Sequence, residues 1–350
     1  MSVTQPEVVL PQLARRRRWL RPAVSSLGAV ALALVAGGIL IAVGGGKPLS
    51  AYHALLDGAF GSEYQFGQVL VQTVPLLTIA LGLALAFRGR VYNIGAEGQL
   101  YVGALAGGAL AILLPLHVAP LVVPLTLLVG AAAGGAWGSI VGELRGRWGV
   151  NEVISSLLLN YVAIFLFSYV IRKPLRDPEA SFLAGKELPA AAKLPIISSL
   201  FVHIGIFIAL ALVPIVAYAM ARTPFGFRVR MMGLNAEAAR VGGVDTARLT
   251  VQLMLISGAL AGLAGVMQTT GVAGRLDPSI SQGYGFMAIV VALLGRLRPI
   301  GVLLASLFMA VLVVGGQAMS VFQSLPYSVV LAIQGVFVVF VLIGDRLVRA

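Results

Sequence analysis

Apolar runs long enough to cross a lipid bilayer recur from one end of this chain to the other. In hydrocarbon every backbone N–H and C=O must be satisfied within the protein, and a helix does this segment by segment. A chain of such runs therefore folds as a set of membrane-spanning helices, each needing about 20 apolar residues. Composition agrees: 59% of residues are hydrophobic and 11% are charged, outside the range of soluble domains. The pattern predicts an all-α polytopic membrane protein with ten spans, at roughly 23–43, 66–87, 92–114, 118–141, 153–171, 201–221, 250–272, 280–295, 299–318 and 326–344.

A net charge of +12 would suggest nucleic acid as a partner for a soluble protein. Here the charge follows the loops, and no nucleic acid is expected. With the N-terminus placed in the cytoplasm, the inner segments hold eighteen arginines and the outer segments the remaining seven basic residues. That asymmetry predicts that both termini lie inside. The basic residues Arg15 to Arg18 precede an apolar run too long for a signal core. Residues 1–22 therefore read as a cytoplasmic leader, and 23–345 as one transmembrane domain. With no cysteine, disulfides and thiolate chemistry are excluded.

Two polar segments interrupt the domain. The outer loop at 172–200 carries Pro174, Pro178, Pro189 and Pro195 and reads as a surface cap. The inner segment at 222–248 carries five arginines. Its Thr-Pro-Phe-Gly sequence suggests a turn, and Asn235–Val241 suggests a short helix stopped by Gly242 and Gly243. A compact amphipathic helix held between two spans suits docking to a soluble partner.

Many of the 42 glycines fall inside spans, where small residues let helix backbones approach closely. The pentapeptide Gly-Ala-Leu-Ala-Gly occurs at 103–107 and again at 258–262, a hint of internal duplication. The third span opens irregularly with VYNIGAEGQLY, and the eighth follows the irregular SISQGYG. Paired broken segments of this kind surround the pathway of internally repeated transporters.

Asn93, Glu97 and Gln99 cluster at the first break. A carboxylate at mid-membrane costs about 2.5–3.5 kcal/mol, so Glu97 either faces a pathway or gate, or clamps the break with Arg88 or Arg90. In the fifth span Asn151 and Glu152 read as a helix cap. Asn160 and Tyr161 lie deeper, as candidates to line a pathway or bond a neighbouring helix. Gln268, Gln282 and Tyr284 gather around the outer ends of spans seven and eight, where amides and a ring suit a neutral hydroxyl-rich or planar solute. His53, His117 and His203 lack metal-ligand spacing, and no metal site is expected. The chain lacks GxxxxGK[ST], H-E-x-x-H and Gly-x-Ser-x-Gly. Its energy source is therefore a separate chain or an ion gradient.

Five segments occur in order: NIGAEGQLYVGALAG at 93–107, GVNEVISSLLLNY at 149–161, TPFGFRVRMMGLNAEAARVGGV at 223–244, ISGALAGLAGVMQTTG at 256–271 and GYGFMAIVVALLGRLRPIG at 283–301. Together they resemble the permease subunits of bacterial ABC importers for nucleosides and simple sugars, in the branched-chain amino acid and ribose permease superfamily. The resemblance covers roughly residues 60–345, and GVNEVIS is similar to the longer of two nucleoside-type permeases. It implies a second permease, an ATP-binding subunit that carries the ATP and Mg, and a lipid-anchored extracellular substrate-binding protein, all at the plasma (inner) membrane. It also implies a coupling helix within Gly233–Gly243, with Gly233, Asn235, Glu237, Ala238, Ala239 and Gly242 matching the pattern. No catalytic residue and no cofactor on this chain are expected. The competing expectation is a secondary carrier driven by protons or sodium, for which Glu97 is the one candidate acid.

Overall fold

The computed structural model of the chain describes residue 28 and residues 31–114, 118–180 and 183–349. The expected leader at 1–22, the start of the first expected span and His117 lie outside the described residues. Two compact units are distinguished, one formed by Met1–Leu55 with Gly316–Ala350 and one by Leu56–Gly315.

In the first unit α1 (Ala31–Val43) turns by 110° into α2 (Pro48–Phe60). The bend occurs at Gly44–Gly46, where Gly45 adopts a φ of +88° that favours glycine. Tyr52 donates its hydroxyl hydrogen to the Leu34 carbonyl at 2.5 Å, tying the two arms together. The returning chain enters through α12 (Pro299–Phe322) and ends in α13 (Tyr327–Arg349). Gln323 donates to Ser50 Oγ at 2.9 Å.

In the second unit α3 (Glu63–Arg88) is buried along nearly its whole length, as expected of a helix apolar on every side. Around it are α4 (Ala96–Leu113), α5 (Ala119–Trp148), α6 (Glu152–Arg172), α7 (Gly205–Arg222), α10 (Thr246–Gln268) and α11 (Tyr284–Leu294). Between α7 and α10 lie α8 (Pro224–Leu234) and α9 (Ala236–Val241). The Thr-Pro-Phe-Gly sequence does not form a turn; it starts α8. Thr223 Oγ1 accepts from the Gly226 N–H at 3.2 Å, and Pro224 occupies a first-turn position that requires no N–H.

Among the described residues seven helices are long and apolar enough to cross a membrane, or eight if α1 and α2 form one bent span. Ten runs were expected. Of the ten expected runs, the eighth is represented by α11, which has only 11 residues, and the tenth by α13 (Tyr327–Arg349).

Glycines set the packing of α4, α5 and α10. A methyl group at Gly103 would lie 2.3 Å from Gly262 Cα, and one at Gly134 would lie 2.5 Å from the Gly258 carbonyl oxygen. Gly103 meets Gly262 and Gly107 meets Val266, so α4 and α10 run in the same direction. The two identical pentapeptides thus lie close together. One lies in the helix that follows the first break and the other in the helix that precedes the second, and both sit at close helix contacts.

The polar loop expected at 172–200 packs on the end of α10. Gly185, Leu188 and Leu194 donate backbone N–H groups to Leu276, Gly274 and Thr270 at 2.8, 2.9 and 2.9 Å. These contacts lay the loop along the end of α10, which finishes in a π-helical turn at Thr269–Ala273. A two-residue hairpin follows, with β1 (Ile196–Ile197) paired antiparallel to β2 (Val202–His203).

Candidate functional site

The break between α3 and α4 is held by one face of α6. Glu152, Ser156 and Asn160 recur every four residues, so their side chains stack on the same side of the helix. Glu152 accepts from the Tyr92 N–H at 3.3 Å, and Ser156 accepts from the Ile94 N–H at 3.2 Å. Asn160 accepts from the Gly98 N–H at 2.8 Å and donates to the Ile94 carbonyl at 2.9 Å. The backbone groups freed by the break are thereby paired, as groups inside a membrane must be. Asn151 caps α6 through the Val153 and Ile154 N–H groups, as its position suggested. Glu152 does more than cap: its second oxygen pairs with Arg145.

Inside the same break Asn93 and Gln99 form a reciprocal amide pair, at 2.8 and 3.1 Å, and Asn93 also donates to Ser257 on α10 at 3.0 Å. Asn93, Gln99 and Asn160 are buried and bonded to protein. Tyr161, the next residue on α6, is 56% exposed and lies apart from this network.

Glu97 occupies the first turn of α4, and its carboxylate accepts from the Gly285 N–H in the first turn of α11 at 2.7 Å. Ser281 also hydrogen-bonds this carboxylate, while its hydroxyl oxygen accepts from the Gly283 and Tyr284 N–H groups. A methyl group at Gly285 would lie 2.3 Å from the Glu97 nitrogen, so the two helix starts touch. Each start carries unpaired N–H groups and a partial positive charge. The Glu97 side chain gives one of these N–H groups a partner where the two starts meet. Its partners are therefore Gly285 and Ser281, in place of the expected Arg88 or Arg90.

Gln268 stands apart from that cluster. It lines a cavity of about 400 Å³ with Gln282, Tyr284, Arg275 and Asp277. The Tyr284 hydroxyl donates to Gln72 on α3 at 2.5 Å. Amides, a hydroxyl and charges of both signs make this a polar recess suited to a hydrogen-bonding solute.

At the other end of the unit, Asn235 caps α9 by accepting from the Glu237 and Ala238 N–H groups at 2.9 and 3.1 Å. Glu237 and Arg240 form an exposed pair at 3.2 Å. Ala239 is buried, and Gly242 ends the helix ahead of Gly243, with a φ of +84°. A methyl group at Gly233 would lie 1.9 Å from the Arg88 carbonyl oxygen, so α8 rests directly on the end of α3. Leu234, the last residue of α8, and Val241, the last residue of α9, are 78% and 85% exposed. The sequence signal for these two knobs is an apolar residue ahead of a short helix and another at its end, within a polar insert.

The family model for the permease component of branched-chain amino acid transport systems matches residues 65–343. The glucose ABC transporter permease protein TsgB13 of Haloferax volcanii is 36% identical over 90% of this chain and 86% of its own length. The guanosine ABC transporter permease protein NupP of Bacillus subtilis is 35% identical, over 89% and 91%. The nucleoside ABC transporter permease protein NupB of Lactococcus lactis is 30% identical, over 92% and 91%. No solved structure matches. Membership of this family implies an ATP-binding subunit and a substrate-binding protein as partners. The chain belongs to the branched-chain amino acid transport permease family, and is a multi-pass membrane subunit of an ABC importer rather than an enzyme.

Proposed function

We propose that this subunit conducts a nucleoside or a simple sugar, and that α9 couples it to the ATPase. The solute class is supported by the relatives named for glucose, guanosine and nucleosides, and by the polar recess at Gln268, Gln282 and Tyr284. In this reading the chain crosses the membrane ten times, with α11 and α13 among the crossings and both termini in the cytoplasm. Residues 1–22 form the leader and 23–345 the permease domain. The loop at 172–200 meets the substrate-binding lipoprotein outside. A second permease completes the pathway, and ATP and Mg bind on the partner ATPase.

The observation that carries the coupling role is the contact of Gly233 with the Arg88 carbonyl. Through it a push on α9 and α8 reaches the end of α3, the helix around which its unit is packed. Gly233, Asn235, Glu237, Ala238, Ala239 and Gly242 shape this lever. Leu234 and Val241 offer the ATPase apolar contacts. Asn93, Glu97, Gln99 and Asn160 hold the half-helices that frame the pathway, and Gln268 contacts solute.

The test is Glu237→Arg in the assembled transporter. The variant is expected to insert and purify normally while losing the ATPase and solute uptake. Normal co-purification of the ATPase would refute the docking role.

A further inference from the structure

We propose that a cavity beside α9 binds the phosphate of an anionic phospholipid headgroup and braces the coupling helix. The inference rests on the cytoplasmic placement of α9 argued above. The cavity has a volume of about 450 Å³, within the range of small-ligand sites of about 300–1,000 Å³. Arg90, Arg145 and Arg240 line it together with Thr246, and its lining contains no carboxylate.

Two of these arginines already hold a carboxylate: Arg145 pairs with Glu152 and Arg240 with Glu237. Arg90 has no side-chain hydrogen bond or ion pair among the described residues. The cavity therefore carries a positive charge that the protein does not neutralise. Guanidinium groups present several fixed N–H donors, a geometry that suits phosphate oxygens.

Arg90 lies in the turn that ends α3, where its N–H donates to the Phe87 carbonyl and the Val91 N–H donates to the Ala86 carbonyl, both at 3.0 Å; its φ of +56° is the left-handed conformation of such a helix ending.

Depth favours lipid as the source of the phosphate. Tyr92, 45% exposed, follows the Arg90 turn, and Trp148, 69% exposed, lies between the cavity residues Gly146 and Gly149. Exposed Tyr and Trp at span ends mark the headgroup level, and basic pockets between helices on the cytoplasmic side take anionic headgroups. Because α9 contributes Ala236 and Arg240 to the wall, a bound headgroup would link the coupling helix to the ends of α3 and α5.

The test uses the full transporter, delipidated in detergent and titrated with phosphatidylglycerol, phosphatidylcholine or inorganic phosphate, with retained ligand read by native mass spectrometry. Phosphatidylglycerol is expected to remain bound and the other two are not. Arg90→Gln should lower its retention about tenfold, with Arg90→Lys, which keeps the charge and loses the fork, in between. Equal retention by wild type and Arg90→Gln overturns the proposal, as does saturation by inorganic phosphate. Chemical protection of Arg90 by the ATPase alone, without lipid, would assign the cavity to an acidic side chain of that partner. Retention is also measured on permease stripped of its ATPase, so the lipid site can fail while the coupling role stands, and the reverse.

Discussion

The Glu97 carboxylate accepts a hydrogen bond from the Gly285 N–H at 2.7 Å, joining the first turns of two half-helices 188 residues apart in the chain. One acidic side chain bridges two facing helix starts, so its loss leaves the buried Gly285 N–H without a partner. That costs about 1–3 kcal/mol. Glu97→Ala is expected to lower the melting temperature and abolish uptake. Glu97→Gln keeps an acceptor and should express normally while transporting more slowly. Uptake into proteoliposomes, set against expression level, checks both. A Gln variant with unchanged uptake would leave the carboxylate without a transport role.

Gly233 rests on the Arg88 carbonyl oxygen, with room for no side chain. Gly233→Ala should push α8 away from α3 without altering the exposed face of α9. The ATPase is expected to bind normally, while solute moved per ATP hydrolysed falls severalfold. An unchanged ratio would remove this contact from the coupling route.

Gly262 packs against α5, where a methyl group would lie 2.4 Å from the Gly130 carbonyl oxygen. Helix backbones cannot yield as side chains do, so Gly262→Ala should cost at least the 1–3 kcal/mol or so typical of overpacking. Gly335→Ala, with no atom within 4 Å of the added methyl, serves as the neutral control. Size-exclusion profiles and thermal melting of the two variants are expected to differ, and matching profiles would contradict the glycine-packed arrangement.

His203 lies in β2, before α7 begins. Its Nδ1 accepts from the Gly205 N–H at 3.2 Å, and its Nε2 has no hydrogen-bond partner among the described residues. Burial lowers its pKa from 6.5 to about 4. Between those values the unfolded chain takes up a proton that the native state refuses, so stability falls as pH drops. The loss from this group should reach about 2 kcal/mol by pH 5. Melting temperatures at pH 7.5 and pH 5, compared with His203→Asn, check it: the variant should lose part of the pH dependence.

Much of this was legible along the chain. The span-length runs mark nearly every long helix, because burial in lipid demands apolar side chains whatever the neighbours are. Asn235 and the Gly242–Gly243 pair mark α9, since caps and stops are local chemistry. The irregular VYNIGAEGQLY and SISQGYG segments mark both breaks. Local reading failed at Thr223–Gly226, where the threonine side chain takes the first free N–H group and turns an apparent loop into the start of α8.

Hydrophobicity, glycine content and capping residues determined that this chain is a polytopic helical membrane protein with a short helix held in a polar insert between two apolar helices. These properties depend on the solvent and on neighbours within a few residues. Tertiary structure alone decided that Glu97 binds Gly285, that Glu152, Ser156 and Asn160 hold the first break, and that Gly233 touches Arg88. Each of these pairings joins residues far apart in the chain. A polar group in lipid takes whichever partner the packed helices bring within about 3 Å, and that choice is made only when the helices pack.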